Sequence, residues 1–131
     1  MTFVLDSSIV IELEKGNKEI IKKITELNNI HKTTACITFI SYFEVYSGIR
    51  KKIEKNREKA YNFLQKFPLI YPSKRTAEIL AELREKYQEK GSLLPLADMM
   101  IVSQVKEHGL LLVTMDRDFE KIGEIRKIIL N

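Results

Sequence analysis

Phe3-Val4-Leu5-Asp6-Ser7-Ser8-Ile9 is a run of three apolar residues that stops at a carboxylate, after which Ile9 and Leu13 take up helical spacing. A short, wholly apolar run suits a strand covered on both faces, and the Asp-Ser-Ser step suits the turn into a helix. Near the other end of the chain Leu110 to Met115 repeats the pattern and stops at Asp116, with Asp118 two residues on. Such strands, alternating with helical segments, predict a parallel sheet covered on both faces by right-handed crossovers. In sheets of that kind ligands collect in the crevice beyond the carboxyl ends of the strands.

The intervening chain supplies the crossovers. Ile20, Ile21, Ile24 and Leu27 line one face of a helix expected over Lys18 to Asn28, separated from the first by Gly16-Asn17. Thr33 to Thr38 is expected to be extended, and Phe39 to Lys52 helical, carrying Glu44. Tyr61, Phe63, Leu64 and Phe67 predict an amphipathic helix closed by Pro68, and Leu69-Ile70-Tyr71 a second core strand. A long helix is expected from Ser73 to Lys90, capped by Gly91. The next has Pro95 in its first turn and ends at His108-Gly109. No repeat or linker interrupts the 131 residues, so one domain spanning 1–131 is expected.

Hydrophobic residues make up 44% and charged residues 31%, enough apolar material for a packed core and against a disordered chain. The net charge of +4 is compatible with a polyanionic partner, but composition alone favours a solvated, lysine-covered surface. Cys36 is the single cysteine, so there is no internal disulfide, and no Cys/His cluster offers a structural zinc site; a reducing compartment is expected. Neither a secretory signal nor an apolar run of membrane-spanning length is visible, which predicts a soluble, cytoplasmic protein.

The acids carry the chemistry. Asp6 and Asp116 each end an apolar strand and could be helix N-caps or ligands at a shared sheet edge. Asp98 is followed at three, four and seven residues by Ile101, Val102 and Val105, which puts it on the apolar face of its helix and predicts burial. Glu44 stands among apolar and aromatic neighbours in Ser41-Tyr42-Phe43-Glu44-Val45-Tyr46. A buried, unpartnered carboxylate costs several kcal/mol, so each needs a cation or a proton. Arg50 to Lys52 could serve one acid in a buried ion pair, but hardly four. Four carboxylates in one crevice imply a multivalent cation, and oxygen-only ligation selects magnesium or manganese over zinc. Such an ion activates water and neutralises phosphate charge, which leads to phosphodiester hydrolysis. No serine-histidine pairing accompanies His31 or His108, and there is no glycine-rich phosphate loop.

The order Val4-Leu5-Asp6-Ser7-Ser8-Ile9, Glu44 within Phe-Glu-Val-Tyr-Ser-Gly, Leu96-Ala97-Asp98, and Leu112-Val113-Thr114-Met115-Asp116-Arg117-Asp118-Phe119 resembles the PIN-domain family across essentially the whole chain. Within it, the likeness is greatest to the VapC-type toxins of toxin–antitoxin pairs. The resemblance implies a three-layer α/β/α sandwich around a parallel sheet and Mg- or Mn-dependent RNA cleavage. It makes Asp6, Glu44, Asp98 and Asp116 the acidic cluster, with Asp118 as an alternative or additional ligand. By the same likeness Ser7 or Ser8 and Thr114 orient carboxylates or water, and the partners are RNA, a small antitoxin protein and a second copy of the chain. Arg50, Lys51, Lys52, Lys55 and Arg57 concentrate positive charge after Glu44, where they either flank the RNA path or form a solvated helix end.

Other functions are open at this point. A phosphoryl-accepting receiver domain also gathers acids at strand ends, but here Glu44 and Asp98 fall on helices; an aspartate-nucleophile phosphatase wants a second aspartate where Ser8 stands. A PIN-like module that binds without cutting, and a nuclease of RNA maturation, share every motif above.

Overall fold

Five parallel strands make the middle layer of the computed structural model, which describes residues 2–31 and 35–131. β1 (Phe3–Leu5) pairs with β4 (Leu111–Thr114), Val4 opposite Leu112, and β4 pairs in turn with β5 (Arg126–Ile129). On its other side β1 bridges to Cys36 through Leu5 N–H to Cys36 O (2.9 Å) and Cys36 N–H to Phe3 O (3.0 Å). That bridge leads into β2 (Ile37–Thr38), which pairs with β3 (Leu69–Ile70). The spatial order is β5-β4-β1-β2-β3.

Alternation along the strands splits the apolar side chains between two cores. Phe3, Leu5, Ile37, Leu111 and Val113 pack with Ile9 and Val10 of α1 (Ser7–Glu14) and Ile20 and Ile24 of α2 (Lys18–His31). The same core takes Val45 and Ile49 of α3 (Phe39–Ile49) and Ala60 and Leu64 of α4 (Glu54–Leu64). Val4, Cys36 and Leu112 face the other way, onto Ile79, Leu83 and Tyr87 of α5 (Lys74–Lys90) and Ile101, Val102 and Val105 of α6 (Leu96–His108). Burial on both faces is why β1 and β4 read as unbroken apolar runs. The outcome is the expected three-layer α/β/α sandwich.

Several expectations need correction. Leu69-Ile70-Tyr71 is not a core strand: β3 is two half-buried residues at the sheet edge, and Tyr71 is 70% exposed. Pro95 occupies the N-cap of α6 instead of its first turn, and α3 stops at Ile49, short of Lys52. α4 starts at Glu54, seven residues ahead of Tyr61, because its first half is almost wholly polar and shows no apolar period. Of Thr33 to Thr38, Ile37–Thr38 is strand, while Thr33 and Thr34 lie outside the described residues. β5 is unanticipated; its Arg126-Lys127 half suits an edge strand but not a buried one. The chain ahead of β5 is fastened to α5 through Glu124, which accepts from Lys86 Nζ and the Tyr87 hydroxyl. No described helix is long and apolar enough to cross a membrane.

α5 ends as expected on Gly91, whose φ of 71° is left-handed. A Cβ there would meet nothing within 4 Å, so only backbone strain opposes a side chain. Gly91→Ala should therefore lower stability by about 1 kcal/mol, read as a lower urea midpoint with an unchanged m-value.

Candidate active site

The carboxyl ends of β1 and β4 lie side by side, and the Asp6 N–H continues their ladder to Val113 O (2.9 Å). Asp6 stands at the N-cap position of α1, yet its side chain caps no helical N–H. Its Oδ2 instead accepts from Thr114 Oγ1 (2.8 Å) and Ser8 Oγ (3.2 Å). Both hydroxyls are themselves anchored by the neighbouring strand end: Thr114 Oγ1 accepts from Asp116 N–H (3.0 Å) and Ser8 Oγ from Met115 N–H (3.2 Å). Capping alone does not account for Asp6. It does describe one oxygen of Asp116, whose Oδ1 accepts from Asp118 N–H (2.9 Å) to open a short 3-10 turn at Arg117–Lys121.

α3 brings Glu44 to the same edge, where its Oε1 accepts from Ser7 Oγ (3.1 Å). Asp98 arrives on the first turn of α6 and is half-buried, not buried as its apolar neighbours suggest. Periodicity places it correctly on the face of Ile101, Val102 and Val105, but the first turn sits at the mouth of the layer.

The electrostatics tie these groups together. Burial pushes the Asp6 carboxyl up, with the charge of Asp116 adding and the Thr114, Ser7 and Ser8 hydrogen bonds opposing. Burial also raises Glu44, and the Asp6 charge adds to it against the Ser7 hydrogen bond. Asp98 is pushed up to about 6, by burial first and then by Asp116, Asp6, Glu44 and Asp118 in that order. Asp98 thus feels all four other acids, Asp116 most and the exposed Asp118 least.

Among the described residues none of the five carboxylates forms an ion pair. The ion-pair alternative for Glu44 and Asp98 finds no partner among the described residues. Nor do three of the acids close into a ready-made cation cage among those residues. Like charges with nothing between them keep apart, so ligation would require carboxylates to swing inward. The donor set itself, all carboxylate and hydroxyl oxygen with no cation to neutralise it, fits a hard divalent ion.

The basic residues follow the end of α3, the helix that carries Glu44. Arg50, Lys51, Lys55 and Arg57 are exposed and Lys52 half-buried, between the end of α3 and the first turns of α4. Arg57 Nε donates to Lys52 O (2.7 Å), which holds the two stretches together. Sequence reasoning does not pick out the tyrosines beside them, Tyr46 and Tyr61. Their signal is spacing alone, Tyr46 four residues before Arg50 and Tyr61 four after Arg57, one helical turn each.

A family model described as PIN domain matches residues 3–125. A protein of Shigella flexneri named tRNA(fMet)-specific endonuclease VapC is 24% identical over 129 residues, 96% of each chain. Ribonuclease VapC3 of Methanocaldococcus jannaschii is 26% identical over 103 residues, 79% of this chain and 97% of that one. Among solved structures, VapBC from Salmonella typhimurium bound to DNA superposes with a TM-score of 0.84 at 26% identity over 98% of both chains. VapBC2 from Rickettsia felis, bound to a DNA fragment from its promoter, gives 0.87 at 21% identity over the full length of both.

Proposed function

This chain belongs to the PIN-domain family, and we propose that it is a metal-dependent endoribonuclease, one nuclease unit over residues 1–131, acting in the cytoplasm as the toxin of a toxin–antitoxin pair. The observation that carries the proposal is the gathering of the carboxylates at one sheet edge with no ion-paired cation among the described residues, where burial first and the other four acids next raise the Asp98 carboxyl to about 6. Asp6, Glu44, Asp98 and Asp116 are the residues to hold Mg2+ or Mn2+. Asp118 supports Asp116 through its backbone N–H, as an exposed, auxiliary acid. Ser7 orients Glu44, and Ser8 and Thr114 orient Asp6, each leaving the other carboxylate oxygen for the ion. A bound divalent ion supplies a more acidic water and neutralises phosphate charge in the in-line displacement.

The toxin role draws on the relatives, which are VapC nucleases and VapBC complexes. A small antitoxin protein is accordingly the expected partner. Self-association is part of the same proposal: Phe39, Leu96 and Tyr71 expose 47, 51 and 70% of large apolar side chains, and Phe39 directly follows the Thr38–Ile70 strand pair on one side as Tyr71 does on the other. Light scattering should return close to twice the 15.3 kDa chain mass; the chain mass itself would remove the dimer.

The decisive assay incubates mixed cellular RNA with the protein in Mg2+, Mn2+ or EDTA, beside Asp6→Asn. Cleavage by the parent alone, and only with metal, is expected. Equal cleavage by both proteins would mean the wrong site, and none by either would leave a PIN-like binding module. Growth arrest on expression of the parent but not of Asp6→Asn separates a toxin from a nuclease of RNA maturation.

A further inference from the structure

Beyond the acids, α3 and α4 enclose an open cavity of about 370 Å³ lined by Tyr46, Ile49, Arg50, Arg57, Glu58 and Tyr61. That volume is within the range of small-molecule sites, about 300–1,000 Å³. The buried Ile49 helps to form its apolar part, while Tyr46 and Tyr61 meet edge to face with ring centroids 6.3 Å apart and stay 38% and 42% exposed. Tyr46 also stacks on Tyr42, centroids 6.2 Å apart and planes 10° from parallel, which restrains the ring. Among the described residues neither guanidinium is ion-paired; Arg57 is tethered by Nε to Lys52 O, which leaves its terminal nitrogens free.

We infer that this cavity is a nucleotide subsite: it takes one base and its phosphate from single-stranded RNA, a few nucleotides along the strand from the one being cut. The inference rests on the ribonuclease reading above. Held tyrosine rings offer a stacking surface that accepts any base. Two unpaired arginine forks match a phosphate bidentately. Glu58 is of no use to a bare phosphate, but it accepts from a ribose hydroxyl or an exocyclic amine, which selects a nucleotide over an inorganic anion.

The placement suits a strand that passes the acids. Glu44 and Tyr46 leave α3 about 160° apart, on opposite flanks of the helix. A strand held at both therefore crosses one helix, about 10–12 Å wide, over Phe43, whose ring on that outer ridge is 60% exposed. Lys51 and Lys55, exposed on the stretch of chain between Arg50 and Arg57, add to the positive charge of this region. Because the subsite lies off the reacting phosphate, its loss should appear in binding and KM and spare kcat.

The test measures anisotropy of a fluorescein-labelled single-stranded RNA on the full chain carrying Asp6→Asn, so that nothing is cut. Added Tyr46→Ala should weaken binding roughly tenfold, and Tyr46→Phe should keep it, since the ring is what stacks. Arg50→Ala should flatten the slope of log affinity against log salt by about 0.7, while the exposed Lys18→Ala on α2 leaves both unchanged. Melting curves that match the parent exclude misfolding. Binding by Tyr46→Ala and Arg50→Ala equal to that of the parent overturns the subsite and leaves the nuclease standing. Normal RNA binding by these variants with loss of self-association or of a protein partner reassigns the cavity to a protein interface and likewise overturns it. Failure of the otherwise unsubstituted chain to bind or cut RNA at all overturns both readings.

Discussion

Asp98→Asn is expected to abolish RNA cleavage and, in metal-free buffer near pH 7, to make the protein more stable by about 1–2 kcal/mol. The Asp98 carboxyl titrates at about 6 in the folded chain against an ordinary aspartate value of 3.8. Between roughly pH 4 and pH 6 the folded state thus binds more protons than the unfolded one, and stability falls as pH rises through that window. Above pH 6 the cost of an ionised Asp98 beside Asp116, Asp6 and Glu44 is fully present. Its upper limit is about 3 kcal/mol, which partial exposure and solvent screening reduce to the range given. An amide removes the charge at similar size, so the variant should lose most of the parent's stability decline between pH 4 and 6. Its melting temperature at pH 7 with EDTA should rise by about 3–6 °C.

Adding Mg2+ should reverse the order. A cation that binds only the folded state stabilises it by mass action, and the parent, with its full set of carboxylates, gains more than the variant. The same loss of ligation should cost at least a hundredfold in kcat, since the ion's neutralisation of transition-state charge is worth several kcal/mol. A gain in stability joined to a loss of activity marks a site held under electrostatic strain for function. If Asp98→Asn melts below the parent at pH 7 in EDTA, or follows the same pH profile from 4 to 6, Asp98 is an ordinary satisfied carboxylate and the cluster is not what raises it.

How far the sequence foretells this arrangement depends on what each residue touches. β1 and β4 are buried on both faces, so they advertise themselves as apolar runs, and the acids at their ends follow directly. Ser73 and Gly91 mark α5 because caps are local chemistry. β5 and β3 are edge strands, one face at most in the core, and their composition does not separate them from loops. The face of Asp98 is legible from Ile101, Val102 and Val105, whereas its depth is set by where α6 begins against the sheet, which periodicity does not encode. Ser7 and Glu44 are 37 residues apart and Thr114 and Asp6 are 108 apart; both pairings arise from crossovers. Nothing local to α3 places Glu44 beside the strand-end acids; burial of an unpartnered carboxylate suggests it and family likeness specifies it. The Tyr46–Tyr61 cavity needs α3 packed on α4, and α4 has too little apolar pattern to announce even its own start.

The second of those long-range pairings makes Thr114 a residue whose loss should be felt in both fold and site. Its side chain is fully buried, donates to Asp6 Oδ2 at 2.8 Å and accepts from Asp116 N–H at 3.0 Å. Thr114→Val keeps the shape and removes the hydroxyl, so packing is preserved while a buried carboxylate loses a donor and a part-buried N–H its acceptor. An unmade buried hydrogen bond costs about 1–3 kcal/mol, and more at a charged group, so a total of about 2–4 kcal/mol is expected, read as a lower guanidinium midpoint at constant m. The Asp6 carboxyl, already raised by burial and held back chiefly by this hydrogen bond, should rise further. The acid limb of the pH–rate profile should then move to higher pH, because more proton must leave before Asp6 can ligate. Thr114→Ser restores both contacts at the expense of one methyl group and should lie within about 1.5 kcal/mol of the parent, near the cost of removing one buried methyl, with the acid limb in its original place. A valine variant whose midpoint and acid limb both coincide with those of the parent would show that Asp6 and Asp116 are positioned without Thr114, and that the hydroxyl between the two strand ends is incidental.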